Sequence, residues 1–261
     1  MSPPPFRAKK RLGQHFLVDE NLLGVIGRLA ELSPDDCVLE IGPGLGVLTA
    51  YLARRVAHVD AVELDRELEP RLRERIAGCE NVSLHFGDAL AVDLARLAPA
   101  AVKLVANLPY NIATPLIVES LDGLPQIELW CVMVQREVAD RLFASPGSKA
   151  YGAVSVLLQL ATEKRGFHPV SSEVFRPRPR VESALVAFER RPLPEDFGRI
   201  KRLVVAAFAH RRKTLVNSLA IAGLVSREEA ETMLERAGHN PMIRAEALTP
   251  PEFAALAEVL P

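Results

Sequence analysis

The sequence predicts an α/β protein with a doubly wound parallel sheet, followed by a small helical domain. Apolar, β-branched runs alternate with helical stretches from residue 37 onward, and a glycine-rich turn separates the first run from its helix. From residue 198 to the end, the pattern is helical. Strands that are separated by single helices form βαβ units, in which the strands pair in parallel.

Each predicted element has its own local pattern. Runs rich in β-branched and apolar residues predict five successive strands and one later strand: 37–41, 58–64, 81–88, 102–108, 127–135 and 183–190. Helical patterns precede, separate and follow them: 19–33, 47–56, 66–77, 111–121, 136–144 and 152–162. Tyr51 and Trp130 lie in apolar periodic runs, so we expect both rings to belong to the core.

A charged segment with two prolines, ERRPLPEDFG at 189–198, has the composition of a linker. Helical patterns follow it at 198–224, 226–238 and 249–260. We therefore predict a catalytic domain with a basic N-terminal extension at 1–191 and a small helical domain at 192–261.

The composition favours a cytoplasmic enzyme without a protein-bound metal. Of the 261 residues, 49% are hydrophobic and 25% are charged, which suits one large domain with a small appendage. No apolar run approaches the roughly 18 residues of a membrane span, and the first residues lack the apolar segment of a signal peptide. Cys37, Cys79 and Cys131 stand singly, without the spacing of a disulfide framework or a zinc site.

The charges are segregated along the chain, although the formal net charge is only −1. Three segments carry Arg or Lys and no acid: residues 1–18, 175–180 and 199–213. Such segregation creates a local positive field that attracts a polyanion. The distribution of charge therefore favours an RNA or DNA partner.

The glycine-rich turn after the first strand indicates which ligand binds at the strand ends. In doubly wound sheets, nucleotide-like ligands bind outside the carboxyl ends of the strands. A dinucleotide fingerprint needs G-x-G-x-x-G, whereas this turn runs G-x-G-x-G through Gly42, Gly44 and Gly46, with Val47 at the third fingerprint position. The spacing therefore disfavours NAD.

Acids lie at the ends of three successive strands: Glu40, Glu63 and Asp88. Glu63 is placed to accept hydrogen bonds from ribose hydroxyls, and Asp88 to accept one from an adenine amino group. Three acids would repel a pyrophosphate but suit a ligand with ribose, adenine and no phosphate. This pattern favours S-adenosyl-L-methionine (SAM) and resembles class I methyltransferases.

The tetrapeptide NLPY, Asn107 to Tyr110, follows the fourth strand at the same edge. The Asn107 side-chain oxygen and a backbone oxygen near Leu108 would accept the two N–H groups of an adenine N6. Pro109 would fix the turn, and Tyr110 would stack on the base. The amine attacks while neutral, so positioning supplies most of the catalysis and no general base is needed before transfer. A target base within a helix must be splayed out to reach this site.

Matches over nearly the whole chain resemble the small-subunit rRNA adenine dimethyltransferase family, whose loss confers kasugamycin resistance. They are KRLGQHFLVDENLL, VLEIGPGLGVLT, VELD, GDAL, NLPYNIATPLI, MVQREVADRL, FRPRPRVESALV and FAHRRKTLVNSL. The resemblance implies a Rossmann-like class I SAM-dependent methyltransferase domain with a C-terminal helical domain.

The same resemblance implies the site residues. The SAM site would be lined by His15, Leu17, Gly42, Glu63, Asp88 and Asn107. The target adenine would be held by Asn107, Leu108, Pro109 and Tyr110, with Phe175 stacked on its other face. The family often has Asn where this chain has His15, whose titration would make cofactor binding sensitive to pH. Phe175 has an alternative role, in which it packs its loop onto the core.

The resemblance also implies the reaction and the partner. Members transfer four methyl groups, two to each of two adjacent adenosines near the 3′ end of small-subunit rRNA. The expected partner is small-subunit rRNA in the 30S subunit or its precursor, and the expected state is a monomer without a metal.

Other functions stay open at this point. A resistance methyltransferase of large-subunit rRNA shares the SAM loop, the NLPY-type turn and the FxPxPxVxS segment, but FAHRRKTLVNSL resembles the small-subunit family more closely. DNA adenine methyltransferases usually have Pro in place of Leu108, and mitochondrial relatives of the family serve as transcription factors. A ribosome-assembly factor would bind immature small subunits through the basic segment Arg199–Lys213.

Overall fold

The computed structural model describes Lys9 and residues 12–261. The predicted basic residues Arg7, Lys10 and Arg11 lie outside the described residues. The chain forms two compact units, of which the first contains the described residues up to Ala139 together with Lys164–Arg190. The second unit contains Asp140–Glu163 together with Arg191–Pro261.

A seven-stranded sheet is the centre of the first unit, with the strand order β4-β3-β2-β5-β6-β9-β7. Its strands are β2 (Cys37–Ile41), β3 (His58–Glu63), β4 (Val82–Phe86), β5 (Lys103–Asn107), β6 (Leu129–Gln135), β7 (Thr162–Val170) and β9 (Ser183–Arg190). The strands β2 to β6 pair in parallel, and β9 runs antiparallel to β6. Two short strands, β1 (Phe16–Leu17) and β8 (Phe175–Arg176), form a separate antiparallel pair.

Eleven α-helices are found in the described part of the chain. They are α1 (Glu20–Leu29), α2 (Val47–Ala53), α3 (Glu69–Arg75), α4 (Leu94–Leu97), α5 (Ala113–Gly123), α6 (Arg136–Leu142), α7 (Ala153–Ala161), α8 (Phe197–Ala209), α9 (Leu215–Ile221), α10 (Arg227–Arg236) and α11 (Pro250–Glu258). None of the described helices combines the length and apolar character needed to cross a bilayer.

The central strands are buried on both faces, as expected of a parallel sheet covered by helices. Six of the seven residues of β6 are buried, and Trp130 in this strand has no exposed surface. Its indole Nε1 donates to Ser120 Oγ at 2.9 Å, and its ring stacks on Phe188 with centroids 5.4 Å apart. The Tyr51 ring packs against the core while it remains partly exposed.

The predicted fold class is confirmed, and all six predicted strands are present, with two of them, Cys37–Ile41 and Ser183–Arg190, at the predicted bounds. The nine-residue strand β7 was not predicted. Its sequence, TEKRGFHPV, contains charges, a glycine and a proline, which are unfavourable in a central strand. Because β7 lies at the edge of the sheet, Pro169 and the charges are tolerated there.

In the second unit, the helical pattern predicted at 198–224 corresponds to two helices. The chain forms α8 and α9, with a break after Ala209, and the Thr214 side chain caps α9 by accepting from the Asn217 amide. Thr caps favour a new helix start over continuation. This unit has an aromatic core, in which the Phe208 ring lies 5.9 Å from that of Tyr151 and 5.8 Å from that of Phe253.

Candidate active site

A cavity lies at the carboxyl ends of β2, β3, β4 and β5. It is lined by residues 12–17, by the glycine-rich turn after β2, and by 62–64, 87–89 and 107–112. Three acids, Glu40, Glu63 and Asp88, line this cavity, and none of its described lining residues is Lys or Arg. We call it the acidic cavity.

The glycine-rich turn brings the backbone close to neighbouring groups. Gly44 has a φ of +60°, and a Cβ on it would lie 2.9 Å from Phe16 Cδ1. Gly42 has a φ of +72°, and its Cβ would lie 3.2 Å from Pro109 Cδ. Side chains are strained at positive φ and have no room here, so glycine is required at both positions.

Glu63 organises the turn while it lines the cavity. Its Oε2 accepts from the Gly44 amide at 3.0 Å, and its Oε1 accepts from the Asp65 amide at 2.8 Å. Burial raises the pKa of Glu63 against the opposing effect of these backbone bonds. A carboxylate has about four acceptor sites, so each oxygen retains one for a ligand hydroxyl.

The other two acids differ in exposure. Glu40 is 1% exposed, its buried Oε2 has no partner in the described part of the chain, and burial raises its pKa to about 8. Glu40 is therefore mostly protonated at pH 7. Asp88 is exposed, and its Oδ1 accepts from the Leu90 amide at 2.9 Å.

The NLPY turn forms another wall of the acidic cavity. Asn107 Nδ2 donates to the His15 carbonyl oxygen at 3.1 Å, a bond that does not use the Asn107 side-chain oxygen. The buried Leu108 donates its amide to Met133 O at 3.1 Å, which ties the turn to β6. Tyr110 Oη lies 2.7 Å from Ser183 Oγ, and burial raises the pKa of this tyrosine.

Residues 12–17, which we call the strap, are anchored by contacts that the sequence analysis did not predict. The buried Asp65 accepts from Gln14 Nε2 and from Lys9 Nζ, both at 2.8 Å. Burial opposes ionisation of Asp65, but these bonds prevail and lower its pKa. Asp65 follows Glu63 by two residues in VELD, so an acid beside the predicted ligand-binding acid was the available signal.

His15 links the strap to the segment that contains FRPRPR. Its Nδ1 lies 2.7 Å from Pro177 O, and its ring centroid is 5.5 Å from that of Tyr110. Leu17 pairs with Phe175 across β1 and β8. Both side chains are buried, but only Leu17 lines the acidic cavity.

Phe175 lies beside Leu17 but, unlike the other predicted site residues, it does not line the acidic cavity. Its side chain has no exposed surface and belongs to a large hydrophobic cluster of the first unit. This arrangement corresponds to the alternative role, in which the ring packs its loop onto the core. Stacking on a base would require the ring to leave this position.

A second cavity adjoins the strap on the side of FRPRPR. Its lining includes four arginines, Arg71, Arg176, Arg178 and Arg180, and none of its described lining residues is Asp or Glu. We call it the basic cavity. Strap residues and Tyr110 line both cavities, so the strap forms their common wall.

The two cavities differ in size. The basic cavity encloses about 940 Å³ and the acidic cavity about 170 Å³, whereas ligand pockets usually hold roughly 300–1,000 Å³. The basic cavity has room for a nucleotide as it stands. The acidic cavity, in contrast, is smaller than this range. Across Lys9 and residues 12–261, no three His, Cys, Asp or Glu side chains form a group that could hold a metal ion.

Comparisons with known proteins place the chain among RNA-modifying enzymes. Residues 5–260 match the family described as ribosomal RNA adenine dimethylase. Ribosomal RNA small subunit methyltransferase A of Rubrobacter xylanophilus is 50% identical over 251 residues, which cover 96% of this chain and 94% of that protein. The protein of the same name from Pelotomaculum thermopropionicum is 46% identical over 266 residues, covering 96% of this chain and 90% of that protein.

Solved structures share the fold over nearly the whole length. A dimethyladenosine transferase from Plasmodium falciparum has a TM-score of 0.77 at 24% identity, covering 93% of this chain and 96% of that one. The 23S rRNA methyltransferase ErmE has a TM-score of 0.65 at 28% identity, covering 94% of this chain and 99% of that one. Since the family match spans all but the first four residues and the last, the chain belongs to the ribosomal RNA adenine dimethylase family.

Proposed function

We propose that this chain transfers methyl groups from SAM to the N6 amino groups of two adjacent adenosines near the 3′ end of small-subunit rRNA. The observation that carries the proposal is the position of the NLPY turn, which forms one wall of a cavity that also contains three acids. A site for a cationic adenosine ligand thus adjoins a site for an adenine amine.

The donor set of the acidic cavity suits SAM. Carboxylates without Lys or Arg favour a ligand that carries positive charge and no phosphate. When bound, SAM supplies a methyl group activated by a positively charged sulfur. Glu63 has acceptor sites left for two ribose hydroxyls, and Asp88 is exposed for an amino group of the adenine.

The strap and the turns complete this binding site. Gly42 lets the backbone approach the ligand, and Leu17 provides an apolar contact. His15 and Asn107 hold each other through the bond between Asn107 Nδ2 and the His15 carbonyl oxygen.

The acceptor adenine is held by the NLPY turn. The Asn107 side-chain oxygen and the Leu108 carbonyl oxygen accept the two N–H groups of N6 and orient its lone pair toward the methyl group. Pro109 fixes the turn against Gly42. Tyr110 stacks on the base and is held from behind by Ser183 Oγ. The amine is neutral when it attacks, so its proton leaves after transfer and positioning dominates the catalysis.

The names of the relatives support the choice of substrate. Those cited above act on ribosomal RNA of the small subunit by name, which favours this substrate over large-subunit rRNA despite the fold shared with ErmE. We propose that the enzyme works as a cytoplasmic monomer on the 30S subunit or its precursor, and that residues 192–261 contribute RNA contacts.

Transfer of radiolabelled methyl from SAM to small subunits that lack the modification tests the proposal, with large-subunit rRNA as the competitor. We expect dimethyladenosine in the small subunit alone. Asn107→Ala should reduce transfer about 100-fold or more, because the amine loses an acceptor that orients it. Asn21→Ala, at an exposed position on α1, is the matched control and should transfer normally.

Two outcomes would contradict the proposal. Label in the large subunit would favour the resistance-type enzyme. Tight binding to small subunits without label in either RNA would indicate a binding factor. Asn107→Ala would then leave the affinity for small subunits unchanged. SAM binding to Asn107→Ala is measured in parallel, since Asn107 also holds the strap.

A further inference from the structure

We propose that the basic cavity binds the nucleotide next to the target adenosine in the RNA, with its phosphate on Arg180. This inference rests on the proposed function and names the part of the substrate that the acidic cavity does not hold. The ligand class is a single-stranded RNA nucleotide, which carries one phosphate, one sugar and one base.

The charges of the two adjoining cavities divide the substrate between them. The acidic cavity contains Glu63, the exposed Asp88 and no described Arg or Lys, so its negative charge repels a phosphodiester. The basic cavity contains four arginines and no described acid. A nucleotide chain that delivers one base to NLPY must therefore place a flanking phosphate toward the arginines.

The two cavities are close enough to be occupied by neighbouring nucleotides. Tyr110, the proposed stacking partner of the target base, lines both cavities together with the strap. The His15 ring is 5.5 Å from the Tyr110 ring on the same wall. A neighbouring base on the other side of Tyr110 from the target base therefore lies in the basic cavity.

The basic cavity also offers apolar surface for a base. Val18 is 47% exposed and Val181 is 46% exposed, and both side chains line this cavity. Exposed apolar side chains suit the face of a base, and the neighbouring arginines suit its phosphate. A free phosphate or a simple anion would make no use of the two valines.

The contacts of the arginines single out Arg180. Arg178 donates to Ser172 Oγ at 2.9 Å and to Glu173 Oε1 at 3.2 Å. Arg176 donates to the carbonyl oxygens of Glu173 and Phe175. The exposed Arg180 has no partner in the described part of the chain, so its guanidinium is available to a phosphate.

A double-substitution experiment on protein and RNA tests this assignment. The RNA is an oligoribonucleotide with the target adenosine and its neighbours, in which either phosphate next to the target is replaced by a neutral methylphosphonate. Binding of the full-length protein is measured by fluorescence anisotropy at low salt. The protein variants are Arg180→Gln and, as a matched control, Arg96→Gln, an exposed arginine on α4 that lines neither cavity.

We expect one of the two methylphosphonates to weaken binding of the wild-type protein about tenfold. The same replacement should have little further effect in Arg180→Gln, whereas Arg96→Gln should respond like the wild type. Val181→Asp should weaken binding of the unmodified RNA as well, because it places an acid in the cavity.

The assignment would be overturned if the methylphosphonate weakened binding equally in the wild-type protein and in Arg180→Gln. It would also be overturned if the wild-type protein bound neither RNA at low salt. Methyl transfer to small subunits is measured for the same variants. If the wild-type protein transfers methyl groups and the coupling is absent, the inference fails while the proposed function stands. If it transfers none, the proposed function fails.

Discussion

Replacing Glu40 with glutamine measures the cost of holding a carboxyl group inside the sheet. Glu40 is 1% exposed, and its Oε2 has no partner in the described part of the chain. Burial raises its pKa from 4.5 to about 8 against the opposing effect of the Thr49 side chain, and the nearby Glu63 acts in the same direction as burial. Glutamine has nearly the same shape and stays neutral at every pH.

The sign of the effect follows from proton linkage. Between pH 4.5 and about 8, the unfolded chain has lost the Glu40 proton while the folded chain retains it. Stability therefore falls as the pH rises through this window. The full shift corresponds to about 5 kcal/mol, of which about 3 kcal/mol is lost by pH 7. Glu40→Gln removes this loss, so its advantage should grow with pH.

Urea unfolding followed by Trp130 fluorescence measures the difference, because this tryptophan is buried in the same sheet. We expect Glu40→Gln to match the wild type within about 1 kcal/mol at pH 5 and to exceed it by several kcal/mol at pH 8. The control, Glu74→Gln, is exposed on α3 and should show a small difference that does not change with pH. A pH-independent difference for Glu40→Gln, or a less stable variant at pH 8, would refute the reasoning.

Two further predictions concern the glycine turn and the second unit. Gly44→Ala should weaken SAM binding at least about tenfold in calorimetry, because the residue has a φ of +60° and no room for a Cβ; unchanged affinity would contradict this. Arg211→Gln should lower the Tm by about 2–4 °C, because Arg211 donates to Glu246 Oε2 at 3.1 Å and to Ser148 O at 3.2 Å. Arg212→Gln, at an exposed position, should leave the Tm unchanged. Equal Tm shifts in Arg211→Gln and Arg212→Gln would contradict this prediction.

Local pattern was sufficient for the elements that position the site. The strands β2, β3, β4 and β5 are apolar over most of their length, and an acid or Asn107 stands at or near the end of each. The edge of the sheet that holds the acidic cavity was therefore predictable from sequence. The basic segment 199–213 shows the limit of such patterns. Its charges suggested a single RNA-binding surface, yet Arg211 is bonded within the second unit.

Contacts between distant segments were not predictable. Lys9 and Asp65 are separated by 56 positions, and Gln14 and Asp65 by 51, so no local period connects them. Phe175 illustrates the same limit, because an aromatic residue at the start of FRPRPR suits either a base or the core. Its pairing with Leu17 across two short strands places it in the core, and that pairing depends on the path of the whole chain.

The opposite charges of the two cavities explain why an adenine can serve as the acceptor. In an RNA nucleotide, the phosphate carries the charge and the base is neutral. A neutral base can enter the acidic cavity without electrostatic cost, while its phosphates remain in the field of the arginines around Arg180. The positive charge of SAM, in turn, would be favoured by Glu63 and Asp88 and disfavoured beside the arginines. Under these proposals, the strap and Tyr110 lie where the two fields meet, and the methyl group would pass from SAM to the adenine there.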